Sequence, residues 1–245
     1  MVANRKIWKL KEIDEGLCAR LAEEAACSLQ VSALLLSRGI KDSEKARQFL
    51  NPRLIHLLDP GVLPDIDKAA ERINKAIGSD EKICIFGDYD VDGISSTCLL
   101  LNFFQLVEKE VAYRLPNRFK GGYGLNTDVI RELSGDGITL LITVDNGSSS
   151  TEEIDLAAQL GMDVVVCDHH QPSGNLPSPV AHINPWLSDD ENLFKNLAGV
   201  GVTYKLTWAL CRHFSKEKKL SEQFRDFMVE CLGLAALGTI ADVVP

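Results

Sequence analysis

From Lys82 onward, short apolar runs alternate with amphipathic stretches, and this alternation limits the folds open to the chain more than any other feature. The runs with strand character are KICIF, EVAYRLP, ITLLITV, MDVVVC and VAHINP. Such runs, apolar throughout, are typical of strands buried on both faces. The segments between them include ISSTCLLLNFFQLV, TDVIRELSG and STEEIDLAAQLG, which have helical character. We therefore predict an α/β fold built from βαβ units, with a doubly wound, mainly parallel sheet and flanking helices.

Local signals predict the ends of the third of these helices. Ser150-Thr151-Glu152-Glu153 has the pattern of a capping box, in which the first and last side chains cap the helix start. Gly161 is the expected C-terminal cap, because glycine adopts the left-handed conformation at little cost. Two further helical stretches are predicted after Gly199.

Residues 1–78 are predicted to be a helical lead-in that packs on a catalytic domain formed by residues 79–245. Residues 17–40 carry apolar side chains at helical spacing and stop at Gly39. KDSEKARQFL and DIDKAAERINKAIG repeat the pattern, and NPRLIHLLDPGVLP is a turn-rich link between them.

Acidic side chains stand where three predicted strands end. Asp88, Asp90 and Asp92 follow KICIF, Asp145 follows ITLLITV, and Asp168 follows MDVVVC. The carboxyl ends of parallel strands form one edge of the sheet, which is where ligands bind in open α/β sheets. Carboxylates that converge there are costly unless cations neutralise them. We predict a metal site, in preference to acids on solvated loops, because loop acids seldom follow buried runs so directly.

Two other metal sites are disfavoured. The Asp-x-Asp-x-Asp-Gly run that starts at Asp88 is similar to half of an EF-hand loop. Its twelfth position is Leu99 where calcium needs a glutamate, and a strand, not a helix, is predicted in front of it. Cys167 precedes Asp168, but strand alternation would point its thiol to the opposite side, which argues against zinc.

Carboxylates with imidazole and without thiolate favour Mg²⁺ or Mn²⁺, and the histidines favour Mn²⁺. Two ions about 3.5–4 Å apart would activate a water for in-line attack at phosphorus. One of His169 and His170 would ligate metal while the other aids the leaving group or the phosphate. The isolated His56, His182 and His213 are interpreted as structural.

Composition indicates the redox state of the cysteines and the cellular location, but it does not decide the substrate. The formal charge is −9, from 26 Lys and Arg against 35 Asp and Glu, which is the wrong sign for a protein that grips nucleic acid by net charge alone. Bound cations and clustered basic residues would make a nucleic-acid substrate tolerable. The seven cysteines form no C-x-x-C pair, so we interpret them as reduced and buried. The first residues lack a secretory h-region, which predicts a cytoplasmic protein.

Four motifs, GDYDVDG, TVDNG, DHHQP and GTIADVVP, resemble in sequence and order those of the DHH phosphoesterases. Which acids of the first motif ligate directly stays open, and Asp242 is otherwise only one acid in an apolar tail. The metal ligands that the resemblance implies are Asp88, Asp90, Asp92, Asp145, Asp168, His169 and Asp242, with His170 as a further catalytic residue.

Three more segments, PNRFKGGYGL, LAGVGV and SRGIKDSEKARQFLNP, are similar to those of RecJ-like exonucleases. The resemblance implies a hydrolase that degrades single-stranded DNA from the 5′ end in DNA repair and recombination. Implied partners are single-stranded DNA and repair proteins such as a helicase or a single-strand-binding protein. Such proteins carry a DHH-associated domain and an OB-type module beyond the fourth motif, so we expect this sequence to be the catalytic part of a longer chain.

The same segments contain the expected substrate contacts. Arg118 and Lys120 offer donors to phosphate, and Tyr123 is a candidate stacking platform for a base. A helix N-terminus near Gly199 would suit a phosphate. The alternatives without a functional role are an ordinary glycine-rich loop for FKGGYG and a tight helix entry for AGVGV. The full predicted set is Asn117, Arg118, Lys120, Tyr123, Gly199 and Gly201.

Two rival functions remain. The same chemistry on short oligonucleotides, cyclic dinucleotides or pyrophosphate would use the same acids, but relatives of that kind would lack PNRFKGGYGL. A non-enzymatic replication or repair scaffold would be expected to have lost ligands, whereas every acid and both histidines are present.

Overall fold

The structure, a computed structural model, describes residues 12–116, 124–190, 195–215 and 219–244. The chain forms two compact units, Met1–Leu58 and Asp59–Pro245. Within the described ranges, no helix has both the length and the apolar character needed to cross a bilayer.

The described part of the first unit is helical, as predicted. Its helices are α1 (Glu15–Glu24), α2 (Leu29–Ser37) and α3 (Ser43–Leu50), followed by a 3-10 turn at Leu54–His56. The apolar segment 17–40 is divided between two helices, because the backbone turns at Ala26, where φ is 53°. Ser28 then caps α2 by accepting a hydrogen bond from the Val31 N–H. Leu21, Leu35 and Ala46 are buried in the core of this unit.

The second unit contains a five-stranded sheet in the order β2-β1-β3-β4-β5, and every neighbouring pair is parallel. The predicted fold class is confirmed. In the described part of the chain three helices follow residue 198 where two were predicted. The strands are β1 (Ile83–Phe86), β2 (Ala112–Arg114), β3 (Leu140–Val144), β4 (Asp163–Cys167) and β5 (Ala181–Ile183). The helices are α4 (Ile66–Gly78), α5 (Val91–Leu106), α6 (Thr127–Gly135), α7 (Thr151–Gln159), α8 (Gly199–Ser215), α9 (Glu222–Glu230) and α10 (Leu232–Asp242).

The centre of the sheet is covered on both faces, which explains why β1 is apolar at every position and β3 and β4 are apolar at all but one. In β1, Ile83 and Ile85 belong to the larger core, which contains side chains of α4, α5 and α8. Cys84 and Phe86 belong to the smaller core with side chains of α6 and α7. Successive side chains of a strand point to opposite faces, so a strand that is buried on both must be apolar throughout.

Helix α4 belongs to the second unit, although it was predicted to be the last part of the lead-in. Ile66 and Ile73 are buried in the larger core together with Leu210 of α8. The division between the units therefore falls after Leu58, before the boundary expected after residue 78. That the N-terminal part is a lead-in and the rest a catalytic domain stays a prediction.

The two ends of α7 give opposite results. The capping box is wrong, because the Ser150 side chain makes no capping hydrogen bond. The C-terminal cap is confirmed: Gly161 has φ 77°, and its N–H donates to the Ala158 carbonyl. The Met162 N–H donates to the Ala157 carbonyl, which completes a Schellman motif.

Helix α10 packs against α5 and α8 at a glycine. A Cβ atom on Gly238 would lie 2.6 Å from Asp92 Oδ1 and 2.8 Å from Val200 Cγ1. The close approach of the three helices therefore requires a residue without a side chain at this position.

We predict that Gly238→Ala lowers the free energy of unfolding by about 1–3 kcal/mol, as overpacking of a buried site does. Gly233→Ala in the same helix is the matched control, because a Cβ there meets nothing within 4 Å. Its better helix propensity should leave stability unchanged or raise it by up to about 1 kcal/mol. Urea unfolding of the two metal-free variants measures both effects, and equal stabilities would contradict the packing argument.

Candidate metal centre

The predicted acids converge at the carboxyl edge of the sheet. Asp145 and Asp168 directly follow β3 and β4, and Asp88 lies two residues beyond β1. Asp242, the last residue of α10, reaches the same place. Among the residues that the structure describes, three groups of side chains have ligand atoms within 4.8 Å of one another. They are Asp88 with Asp90 and Asp145, Asp92 with His169 and Asp242, and Asp145 with His169 and His170.

His169 lies among three of these carboxylates. Its Nε2 atom is 3.1 Å from Asp145 Oδ1 and 3.8 Å from both Asp92 Oδ2 and Asp242 Oδ2. Although burial favours the neutral ring, the Asp145 carboxylate raises the pKa of His169. The imidazole is thus directed into the acidic group and away from solvent.

Two atoms of the site lack the partners that buried polar atoms normally have. Asp145 Oδ1 and His169 Nε2 are buried, and neither makes a hydrogen bond of proper geometry with any described residue. Burial raises the pKa of Asp145 to about 7. Its backbone is in the left-handed region, with φ 62°, a strained conformation for a residue other than glycine. Carboxylate and imidazole atoms left unpaired in this way fit a divalent cation such as Mn²⁺ or Mg²⁺.

Asp92 connects the site to the start of α8. Its two carboxylate oxygens accept hydrogen bonds from the N–H groups of Gly199 at 2.6 Å and Val200 at 2.8 Å. Burial nevertheless raises the pKa of Asp92. Gly199 is needed for close approach, since a Cβ there would lie 2.5 Å from Asp145 Oδ1. The helix N-terminus that was expected to hold a phosphate therefore holds a carboxylate in this structure, and the predicted roles of Gly199 and Gly201 stay untested.

The other two acids of the first motif lie nearer the surface. Asp90 is exposed and caps α5 by accepting from the Gly93 N–H at 2.9 Å. Asp88 is partly buried, which raises its pKa, and its Oδ1 accepts from the Tyr89 N–H at 2.7 Å.

Asp168 is surrounded by donors and is absent from the three groups. Its Oδ2 accepts from the Ser148 N–H at 2.9 Å, and its Oδ1 accepts from the N–H groups of His169 and His170. His170 Nδ1 lies 2.8 Å from Oδ1. Against the effect of burial, the contact with His170 and these N–H groups hold the pKa of Asp168 at about 2. The same contact raises the pKa of His170 to about 9, while its side chain remains 59% exposed.

Three buried polar residues near Asp168 were not predicted as part of the site: Asn184, Ser148 and His182. Asn184 directly follows β5, so the strand-end argument that found the acids would also have found it. Ser148 carries no sequence signal of its own, and His182 was interpreted as structural. Of the predicted substrate contacts, Asn117, Arg118, Lys120 and Tyr123 lie outside the described residues.

Residues 82–239, more than half of the chain, match the model of the DHH family, N-terminal domain. The chain belongs to this family, and the predicted resemblance is confirmed.

Within that class, the similar proteins include RecJ exonucleases. The chain is 38% identical over its whole length to the single-stranded-DNA-specific exonuclease RecJ of Bacillus subtilis, of which it covers 30%. A crystal structure of exonuclease RecJ bound to manganese matches with a TM-score of 0.66 and 31% identity, over 75% of this chain and 44% of that one. RecJ of Thermus thermophilus in complex with Mn²⁺ matches with a TM-score of 0.76 and 25% identity, over 96% of this chain and 32% of that one. The chain thus spans less than half the length of these relatives.

We predict that Asp145→Asn stabilises the metal-free chain at pH 8 and abolishes its stabilisation by Mn²⁺. The pKa of Asp145 is raised in the folded state, so its ionisation weakens folding as the pH rises through about 7. Each unit by which folding raises the pKa of a carboxyl group lowers the free energy of unfolding by about 1.4 kcal/mol at pH values above that pKa. An asparagine does not ionise and so avoids this loss.

Thermal unfolding with chelator at pH 5 and pH 8, and with Mn²⁺ at pH 8, measures both effects. Asp128→Asn serves as the control, because this α6 side chain is 98% exposed. A wild-type response to Mn²⁺ in the Asp145 variant would remove this residue from the metal centre.

Proposed function

We propose that this chain is the catalytic part of a metal-dependent phosphodiester hydrolase that removes nucleotides from the 5′ end of single-stranded DNA. The observation that carries the proposal is that Asp145 Oδ1 and His169 Nε2 lie 3.1 Å apart, buried among further carboxylates at the carboxyl edge of the sheet, without a hydrogen bond of proper geometry. Family membership supports the reaction class, and the similarity to RecJ supports the substrate.

The metals would be two Mn²⁺ or Mg²⁺ ions held by His169 and the carboxylates of the three groups. His169 is suited to direct ligation because its ring nitrogen already faces three carboxylates. The Asp92 oxygens also accept backbone N–H groups, so this acid would ligate and hold α8 at the same time. When bound, the ions supply an activated water and neutralise charge on the phosphate.

The two histidines have different surroundings, which supports different roles. His170 is exposed and its Nδ1 is engaged by Asp168, so its Nε2 is the nitrogen left to meet a ligand. The contact with the Asp168 carboxylate raises the pKa of His170 to about 9, which favours the protonated ring. We assign His170 to a phosphate oxygen or the leaving group, and Asp168 to the orientation and charge of that ring.

The 5′ polarity, the preference for DNA and a role in repair and recombination rest on the similarity to RecJ. The proposed DNA contacts remain Asn117, Arg118, Lys120 and Tyr123. Their basic members would supply the positive charge that a chain of net charge −9 needs locally. We also propose a helicase or a single-strand-binding protein as partner, and a cytoplasmic location, on the basis of the similarity to RecJ.

The test is the digestion of a 5′-phosphorylated single-stranded oligonucleotide in Mn²⁺, with the products sized over time. We expect 5′-mononucleotides that disappear with chelator. Asp145→Ala and Asp168→Ala should each lower turnover by at least about a hundredfold, the typical lower range for loss of an essential catalytic group. Asp128→Ala should keep full activity, since its side chain is exposed on α6.

A dinucleotide and a cyclic dinucleotide are run in parallel. Metal-dependent cleavage of the dinucleotide alone would support the phosphodiester hydrolysis. It would also indicate that DNA binding needs regions outside this chain. Preference for the cyclic substrate would overturn the DNA assignment. Failure on all substrates with Mn²⁺ bound would favour a non-enzymatic scaffold.

A further inference from the structure

A buried asparagine joins the ends of two strands beneath the proposed catalytic groups. Asn184 is fully buried directly after β5. Its Nδ2 donates to the His170 carbonyl at 2.9 Å and to Ser148 Oγ at 2.8 Å. Its Oδ1 accepts from the Trp186 N–H at 2.9 Å, so both ends of the amide are engaged. One rigid side chain therefore fixes the main chain of His170 relative to the loop after β3.

The second partner of this amide acts directly on Asp168. Ser148 is 1% exposed, and its N–H donates to Asp168 Oδ2. Its hydroxyl lies 2.9 Å from His182 Nε2 and accepts from Asn184. The hydroxyl thus determines where the Ser148 N–H points, and that N–H holds one oxygen of Asp168 while His170 contacts the other.

The linkage is anchored on the edge strand. β5 is the last strand of the sheet, so part of its backbone lacks a neighbouring strand. The His182 N–H donates instead to Asp65 Oδ2 at 3.0 Å. Asp65 has φ 53°, in the left-handed region, and makes no capping hydrogen bond to α4, which it precedes. The Asp65 backbone is strained, and its side chain bonds to β5 and does not cap α4. We infer that Asp65 holds His182 in position.

We propose that Asn184 and Ser148 are positioning residues for His170: together they hold the Asp168 carboxylate and the His170 main chain so that Nδ1 stays on Asp168 and Nε2 faces the substrate. The inference rests on the proposed function for its consequence in catalysis, although the hydrogen-bond arrangement itself is independent of it. Without the amide, the part-buried His170 carbonyl would lose this donor and the Ser148 hydroxyl would keep only its contact with His182, and the loop would move to compensate.

The variants are Asn184→Ala and Ser148→Ala, each also made in a His170→Ala background. Ser148→Ala keeps the backbone N–H and removes only the hydroxyl. The matched control is Asn74→Ala on α4, because the Asn74 amide atoms are buried and make no hydrogen bond within the described ranges. Circular dichroism establishes that each variant is folded.

The first readout is independent of activity. Long-range ¹H–¹⁵N correlation spectra report which imidazole nitrogens carry protons, and the His170 signals are assigned from the His170→Ala spectrum. We expect Asn184→Ala and Ser148→Ala to shift the His170 Nδ1 signal, and Asn74→Ala to leave it unchanged. Wild-type His170 signals in both site variants would overturn the proposal.

The second readout is kcat in saturating Mn²⁺. Outer partners of this kind typically change activity by about 10–100-fold, so we expect a fall of that size in the wild-type background with a smaller change in KM. In the His170→Ala background the same substitutions should change kcat by less than about twofold, because effects through one group do not add. An equal loss in both backgrounds would indicate a merely structural role and overturn the proposal.

The two readouts separate this proposal from the proposed function. A chain that cleaves no substrate but shows the expected spectral shifts would refute the nuclease and retain the linkage. A chain that cleaves DNA with unshifted spectra would refute the linkage and retain the nuclease. If Asn184→Ala does not fold, Ser148→Ala decides by the same criteria.

Discussion

The contact on which the rest of the site depends joins the Asp92 carboxylate to the N-terminus of α8. Both oxygens accept backbone N–H groups, and the side chain is 1% exposed. A carboxylate is favourable at a helix N-terminus because it meets unpaired N–H groups and the positive end of the helix dipole. The contact brings α8 to the start of α5, and α10 closes on the pair at Gly238. Asp242 can therefore reach His169, although α10 is far from the other ligands in sequence.

The acids of the site fall into two kinds, and the distinction carries the functional argument. Burial raises the pKa of Asp92 and Asp145, which means that the protein itself does not supply enough positive charge for them. Asp168 is as buried, yet its pKa is lowered, because its oxygens meet His170 and several N–H groups. The first kind fits a cation from outside, whereas the charge of Asp168 is met within the chain by His170 and backbone N–H groups, and its predicted role as a metal ligand stays untested.

The strand-end argument succeeded because it depends on neighbours in the sequence and on the common direction of parallel strands. Asp145 and Asp168 follow apolar runs directly, so their place at the edge follows once the runs are strands. The same argument applied to VAHINP would have found Asn184. Asp242 has no such local sign, since it ends a helix, and only the family resemblance pointed to it. The capping box at Ser150 failed because the motif describes side chains that are able to cap, not the backbone geometry that makes them do so.

The sequence by itself determined the parallel sheet, the positions of its strands and the accumulation of acids at one edge, because burial on both faces and side-chain alternation are properties of short segments. Tertiary structure decided which acids remain available to a metal and which have their charge compensated by other groups of the protein. Asp92 and Asp168 each accept an N–H group from a distant residue, Gly199 and Ser148 respectively, but Asp168 also has the His170 ring at 2.8 Å. A pattern of residues shows where charge collects, but the partners that compensate it are set only when helices and loops from different segments pack together.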